Sequence, residues 1–245
     1  MMFRAAPNPN QMLTVNKVKP FAWSYSRIKN YETCPRRYEA IDVNKEFKQD
    51  ETDQLDEGQR LHKAMAKRIM SDVALPREFY YMEKHAENLA KVTHTLQIVN
   101  CELKLAINKD YQATGFFEKG VWARCMIDYI KIVPKNEKQS FAHIVDYKTG
   151  KLQDDDAQLA VNAMLTFSCF KDVVGIKSEF LWTKYNDTRS IVFTRSNIMD
   201  IWSTLIPRID RLAQAHADND FPAKPGKLCR EYCSVDTCEH CGVGR

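Results

Sequence analysis

The sequence predicts a single α/β domain: a sheet flanked by helices, ending in a cysteine-rich segment. Three observations predict it. Apolar residues recur at helical spacing through the first hundred residues and then alternate along the next three segments. A stretch that is apolar nearly all round, "AQLAVNAMLTFSCF", interrupts those strands as only a buried helix would. Four of the eight cysteines crowd into "LCREYCSVDTCEHCG" near the end.

The 245 residues, 44% of them hydrophobic, suffice for one sizeable core. No run of about 18 apolar residues occurs, and the first twenty residues lack the apolar core of a signal peptide, so the reading is a soluble, cytoplasmic protein without a membrane partner. The net charge of +4 permits a polyanionic partner without demanding one. Residues 1–20, rich in Pro and Asn, read as a flexible lead-in; 21–222 form the domain and 223–245 the cysteine-rich tail.

In chain order, a first helix starts after Ser24 or Ser26 and runs toward Tyr38, carrying Arg27, Arg36 and Arg37 as a basic strip that could hold a phosphate backbone. A second contains "GQRLHKAMAKRI", with Leu61, Met65 and Ile69 on one face. Pro76 opens a third that continues to about Val99. "CELKLAIN" places Cys101, Leu103, Leu105 and Ile107 on one strand face; "VWARCMIDYIKIV" is a strand apolar on both faces; "HIVDYK" is a third strand. After the buried helix come strands near "SEFLWTKY" and "SIVFTR" and a helix from about Ser196 to Ala217.

Within these elements a few polar residues are out of place. Ile144, Asp146 and Lys148 point to one side of their strand, and His143, Val145 and Tyr147 to the other. Asp128 sits in a strand with no solvated side. A lone buried carboxylate costs several kcal/mol, so it needs a cation. Two such carboxylates on adjacent strands can share Mg²⁺ or Mn²⁺, and a lysine beside that metal can orient a water and offset charge on an attacked phosphodiester. The alternative is a structural ion pair between Asp146 and Lys148. His62 falls at the edge of the second helix's apolar face, with Gly58 one turn earlier leaving room for close approach to the sheet. Gln158 and Asn162, four apart, make a polar line on the buried helix. Glu102 could add a carboxylate for a second metal, or lie on a solvated face. Cys101, Cys125 and Cys169 read as core.

The order "SYSRIKNYETCPRRY", "GQRLHKAM", "CMIDYIKI", "VDYKTGK", "QLAVN" resembles the RecB-type branch of the PD-(D/E)XK nuclease superfamily over roughly Phe21 to Cys238. The resemblance implies a three-layer, restriction-endonuclease-like core with a mixed sheet. It implies metal ligation by His62, Asp128, Asp146 and the Tyr147 carbonyl, a catalytic Lys148, and a role for Gln158 beside it. Asn162 stands where the family commonly has a tyrosine. Relatives carry an iron–sulfur cluster, which here implies Cys34 with Cys229, Cys233 and Cys238 around a 4Fe–4S centre. The tail spacing C-x3-C-x4-C-x2-C departs from the relatives' pattern and leaves Cys241 spare, so zinc on the four tail cysteines, or no metal, are the alternatives.

The function these readings imply is a divalent-metal-dependent DNA nuclease, first of all an exonuclease on DNA with single-stranded ends. Its setting would be phage or bacterial recombination, repair or degradation, where recombination or replication proteins are natural partners. A structure-selective endonuclease and a non-catalytic DNA-binding module are the rivals.

Overall fold

The computed structural model describes residues 21–48, 53–152 and 155–242; the expected N-terminal lead-in lies outside them. Five strands form one sheet in the order β1 (Ile98–Ile107), β2 (Ala123–Asn136), β3 (Gln139–Lys148), β4 (Val173–Trp182), β5 (Asp187–Thr194). β3 and β4 are parallel, with α5 (Ala157–Cys169) as the crossover between them, and the other pairs are antiparallel. The sheet is therefore mixed, as the resemblance implied.

Two apolar layers cover it. On one side α5 packs on Ile130, Ile132, Ile144, Ile176 and Phe180, backed by α1 (Tyr25–Thr33) and α6 (Ile198–Asp218). On the other, α3 (Asp53–Ser71), α4 (Glu83–Ala90) and the 3-10 turn Arg77–Met82 before it bring Leu61, Met65, Ala86 and Met82 onto Tyr129, Val145, Tyr147 and Leu181. The buried residues of α5 run without a break from Leu159 to Ser168, which is why its sequence is apolar on every side. Among the described residues no helix is long and apolar enough to cross a membrane.

Three expectations need correction. The first helix does not run to Tyr38: it ends at Thr33, Cys34 is extended (φ −160°, ψ 110°), and α2 (Pro35–Tyr38) starts afresh. Pro35 crowds the residue before it out of helical geometry, and that turns the Cys34 thiol out of the helix. The third helix ends at Ala90, not Val99. Past it, the Gln97 side chain accepts hydrogen bonds from the Thr93 and His94 N–H groups at 2.8 and 3.2 Å, so these donors are satisfied without a helix.

The third correction concerns β1. Cys101 packs with the α3 layer, whereas Leu103, Leu105 and Ile107 pack with the α5 layer. Between them Glu102 has φ +54°, a left-handed conformation rare for a side-chain-bearing residue, and one such residue reverses which side of the strand the following residues face. β2 changes sides at the same level: Cys125 and Ile127 join the α5 layer, Tyr129 the α3 layer, and Ile130 the α5 layer again. Asp128 sits in that change, opposite Glu102 when the ladder of Cys101 with Tyr129 and Leu103 with Ile127 is continued.

The start of α5 is held by charge. Arg208 on α6 reaches Glu32 on α1 at 2.7 Å and Asp155, just before α5, at 3.1 Å, and Lys29 reaches Asp155 at 3.2 Å. Partial burial raises the Asp155 pKa, but hydrogen bonds from Arg208, the Ala157 N–H and Lys29 outweigh it and hold the carboxyl at about 2. A depressed carboxylate contributes stability above its ordinary pKa and loses it as pH falls toward the folded value. Asp155→Asn should therefore melt below the wild type at neutral pH, with the difference closing between about pH 4 and pH 2. Melting temperatures across that range are the check, and a constant difference would contradict it.

Candidate active site

Six elements converge near the end of β3: the four strands β1 to β4 and the helices α3 and α5. The end of β3 supplies Asp146 and Lys148, whose side chains meet at 2.6 Å between Oδ1 and Nζ. Gln158, in the first turn of α5, joins both: its Oε1 accepts from Lys148 Nζ at 2.7 Å and its Nε2 donates to Asp146 Oδ2 at 2.5 Å. The expected reach of Gln158 toward Lys148 is present in the structure. Phe180 on β4 lies beneath, with Lys148 Nζ 4.9 Å from its ring centroid, so the ammonium is held from three sides. Burial pushes the Asp146 carboxyl above the ordinary carboxylate range, and the charge of Lys148 opposes that push.

On the other side of β3, Asp128 is buried and its Oδ2 accepts the Tyr147 N–H at 2.9 Å. This bond ties β2 to β3 where the regular ladder between them stops. His62, projecting from α3, donates from Nε2 to the Tyr147 carbonyl at 3.1 Å and turns Nδ1 toward Asp128 Oδ1 at 3.3 Å and Glu102 Oε1 at 3.9 Å. α3 can lie this close because Gly58 has no side chain. A Cβ there would come within 3.2 Å of Thr149 Oγ1, in the turn after β3. Burial lowers the His62 pKa, but the hydrogen bond to Asp128 and the charges of Asp128, Asp146 and Glu102 outweigh it and raise the imidazole to about 9.

The pocket is rich in anions. Burial, and after it the charge of Asp128, raises the pKa of Glu102. Ligand atoms of His62, Glu102 and Asp128 lie within 4.8 Å of one another. Glu102 Oε1 is buried without a hydrogen-bond partner, which is the state of an oxygen that would accept a cation. One imidazole nitrogen and a set of carboxylate oxygens suit Mg²⁺ or Mn²⁺, so the residues present fit such an ion. Asp146 stands beside this group with its two oxygens engaged by Lys148 and Gln158, and the Tyr147 carbonyl is engaged by His62.

Glu102 is the residue for which the sequence left two readings open. Strict alternation predicts where it points only if the strand is regular, and its left-handed φ removes that premise. The usable signal was its position opposite Asp128 once the two strands are paired. Asn162, one turn beyond Gln158, is buried, and its Nδ2 has no hydrogen-bond partner. The basic strip of the first helical segment is turned elsewhere: Arg27 caps the Ala22 carbonyl at 2.7 Å, Arg36 pairs with Glu39 at 2.6 Å, and Arg36 and Arg37 line the cysteine pocket.

That pocket joins the two ends of the described chain. Cys34 and the tail cysteines Cys229, Cys233, Cys238 and Cys241 all line it, and all are free thiols. Cys34 Sγ accepts the Lys224 N–H at 3.5 Å and Cys229 Sγ the Gly226 N–H at 3.4 Å. Cys241 donates to the Cys233 carbonyl at 3.3 Å. Cys101, Cys125 and Cys169 are buried or half-buried in the sheet layers, as their apolar settings implied.

The family model of the PD-(D/E)XK nuclease superfamily matches residues 22–241. No curated protein matches the chain. Among solved structures, an exonuclease candidate from Eubacterium rectale is similar at 12% identity and a TM-score of 0.49, over 91% of this chain and 88% of its own. The protein designated SSO0001 is similar at 13% identity and a TM-score of 0.45, over 95% of this chain and 93% of its own.

Proposed function

Because the chain belongs to the PD-(D/E)XK nuclease superfamily, we propose that it is a divalent-metal-dependent phosphodiesterase working as an exonuclease on DNA with single-stranded ends. The observation that carries the metal dependence is the convergence of His62, Glu102 and Asp128 beside the pair of Asp146 and Lys148, with Glu102 Oε1 buried and unpartnered. His62, Asp128 and Asp146, with the Tyr147 carbonyl and Glu102 as further donors, would hold Mg²⁺ or Mn²⁺. Such an ion supplies Lewis acidity and a water of lowered pKa. Lys148 would orient the attacking water through its ammonium and offset the negative charge that grows on the phosphate oxygens. Gln158 fixes the ammonium and the Asp146 carboxylate relative to each other, so neither has to reorganise as the reaction proceeds. The Tyr147 N–H holds Asp128 in the same way.

Digestion of end-labelled linear single-stranded DNA beside a circular single strand of equal length, with Mg²⁺ or Mn²⁺, tests the reading. Loss of the linear strand with the circle intact is the expected result, and the label reports polarity. Cutting of the circle would replace the exonuclease by an endonuclease, and no cutting with either metal would leave a DNA-binding module. On the resemblance described above, the process served is recombination, repair or degradation of DNA in a bacterial or phage setting.

For the second pocket we propose a 4Fe–4S cluster on Cys34, Cys229, Cys233 and Cys238, supported by their convergence and by the N–H bonds to two of the sulfurs. Its part would be to clasp the two ends of the domain. Protein purified without oxygen should be brown and carry iron and acid-labile sulfide, both lost in Cys34→Ser. A colourless preparation with stoichiometric zinc would assign the tail to zinc instead.

A further inference from the structure

The connection from β1 to β2, residues 108–122, makes a second feature beside the site. Its base is anchored: Tyr111 and Trp122 pack edge-on at 5.5 Å between ring centroids and both pack on Trp202, and the Trp122 N–H bonds the Ile107 carbonyl at 2.8 Å. Its tip carries two adjacent aromatic rings, Phe116 half-buried and Phe117 exposed. Phe117 is 79% exposed, and the Phe116 and Phe117 rings meet at 5.0 Å, nearly perpendicular. The exposed Phe117 ring, backed by the half-buried Phe116, presents an aromatic face to solvent from a held loop.

Cations surround them. Lys104 Nζ lies 5.7 Å from the Phe116 centroid and 5.4 Å from that of Phe117, and the Arg124 guanidinium lies 5.3 Å from Phe116. Neither Lys104 nor Arg124 has a carboxylate within ion-pair distance among the described residues. The acid of the loop tip, Glu118, is held locally by the Thr114 hydroxyl at 2.8 Å. Lys104 pairs across the ladder with Met126, which is 45% exposed, so this part of the sheet is uncovered. It is also close to the metal-ligand group: Lys104 is two residues along β1 from Glu102, about 7 Å, and its charge acts on the Glu102 carboxylate.

Basic groups interleaved with exposed aromatic faces, on an uncovered sheet surface leading to a phosphodiesterase site, match the chemistry of one partner. We infer that Phe116, Phe117, Lys104 and Arg124 form a platform for a single strand of the DNA substrate. The exposed Phe117 ring stacks on a base with Phe116 supporting it, and Lys104 and Arg124 hold the phosphates that run toward Asp128. Duplex DNA keeps its bases inside, so it can use the cations but not the rings. The inference rests on the nuclease reading and adds a strand preference to it.

The test is binding of a fluorescein-labelled oligothymidylate and of a blunt duplex of the same length, by anisotropy in EDTA so that no cleavage intervenes. Phe116→Ala with Phe117→Ala should weaken binding of the single strand by about tenfold or more and leave the duplex within about twofold. Leu at both positions should fail to restore affinity, because it replaces apolar area but not a stacking face. In Phe117→Trp the indole emission should be quenched as oligothymidylate saturates. Unaltered single-strand affinity in the Ala variant, equal loss on the duplex, restoration by Leu, or no quenching would each overturn the platform. A wild type that cuts DNA while the platform variants bind normally would sink this inference alone. A wild type that neither binds nor cuts would sink the nuclease reading with it.

Discussion

Lys148→Ala is expected to lower the rate of DNA cleavage by about 10²–10³-fold, the usual cost of removing a preorganised donor from a transition state, while DNA affinity stays near that of the wild type. The ammonium is positioned by Asp146, Gln158 and the face of Phe180, and truncation leaves none of the three able to take its place. Arginine should not rescue it. A planar guanidinium cannot occupy the position of a compact ammonium between a carboxylate and an amide without displacing one of them. Initial rates on end-labelled single-stranded DNA, with binding measured in EDTA, separate the two effects. Cleavage at wild-type rate by Lys148→Ala would mean that Asp146 and Lys148 are a structural ion pair.

The second large effect is on metal binding. Saturating Mn²⁺ should raise the melting temperature, because an ion bound only by the folded state adds about 2.7 kcal/mol at a hundred times its dissociation constant, roughly 5–10 °C for a domain of this size. Asp128→Asn should remove most of that shift. The amide still accepts the Tyr147 N–H, so the protein without metal should melt within a few degrees of the wild type, but it brings no charge to the ion. Glu102→Gln is the more informative variant, since its Oε1 is buried without a hydrogen-bond partner. A partial loss of the Mn²⁺ shift is expected there, and an undiminished shift would exclude Glu102 as a ligand.

What could be read from the sequence divides along a physical line. Asp146 and Lys148 lie on a regular strand, where alternation alone places both on one face, and Gln158 lies on a helix whose apolar surround demands that a polar side chain find a partner. Those positions were legible because regular backbone turns spacing into direction. Glu102 was not, because a left-handed residue breaks the rule that spacing relies on, and nothing in "CELKL" announces it. The early end of the third helix was hidden for a related reason: Gln97 satisfies the Thr93 and His94 N–H groups with its side chain, a contact that depends on the loop having already formed. The meeting of Cys34 with the tail cysteines came from the family resemblance, since periodicity carries no information about contacts nearly two hundred residues apart. Phe116 and Phe117 stood in a segment without any period and drew no attention.

The joining of Cys34 to the tail also has a bearing on how the molecule comes together. The β1–β2 and β2–β3 pairings connect neighbouring segments and can form early, whereas the clasp closes a loop of nearly two hundred residues and cannot form until Cys34 and the cysteine-rich tail are brought together. Assembly should therefore run from the sheet outward, with the cysteine pocket completed last. The reverse path follows from the same topology: loss of the clasp frees the cysteine-rich tail first, while α1 stays held by Ile28 in the core and by the Arg208–Glu32 pair, and the sheet outlives the tail. In Cys34→Ser, proteolysis would then trim the cysteine-rich tail well before it reached β2 or β3.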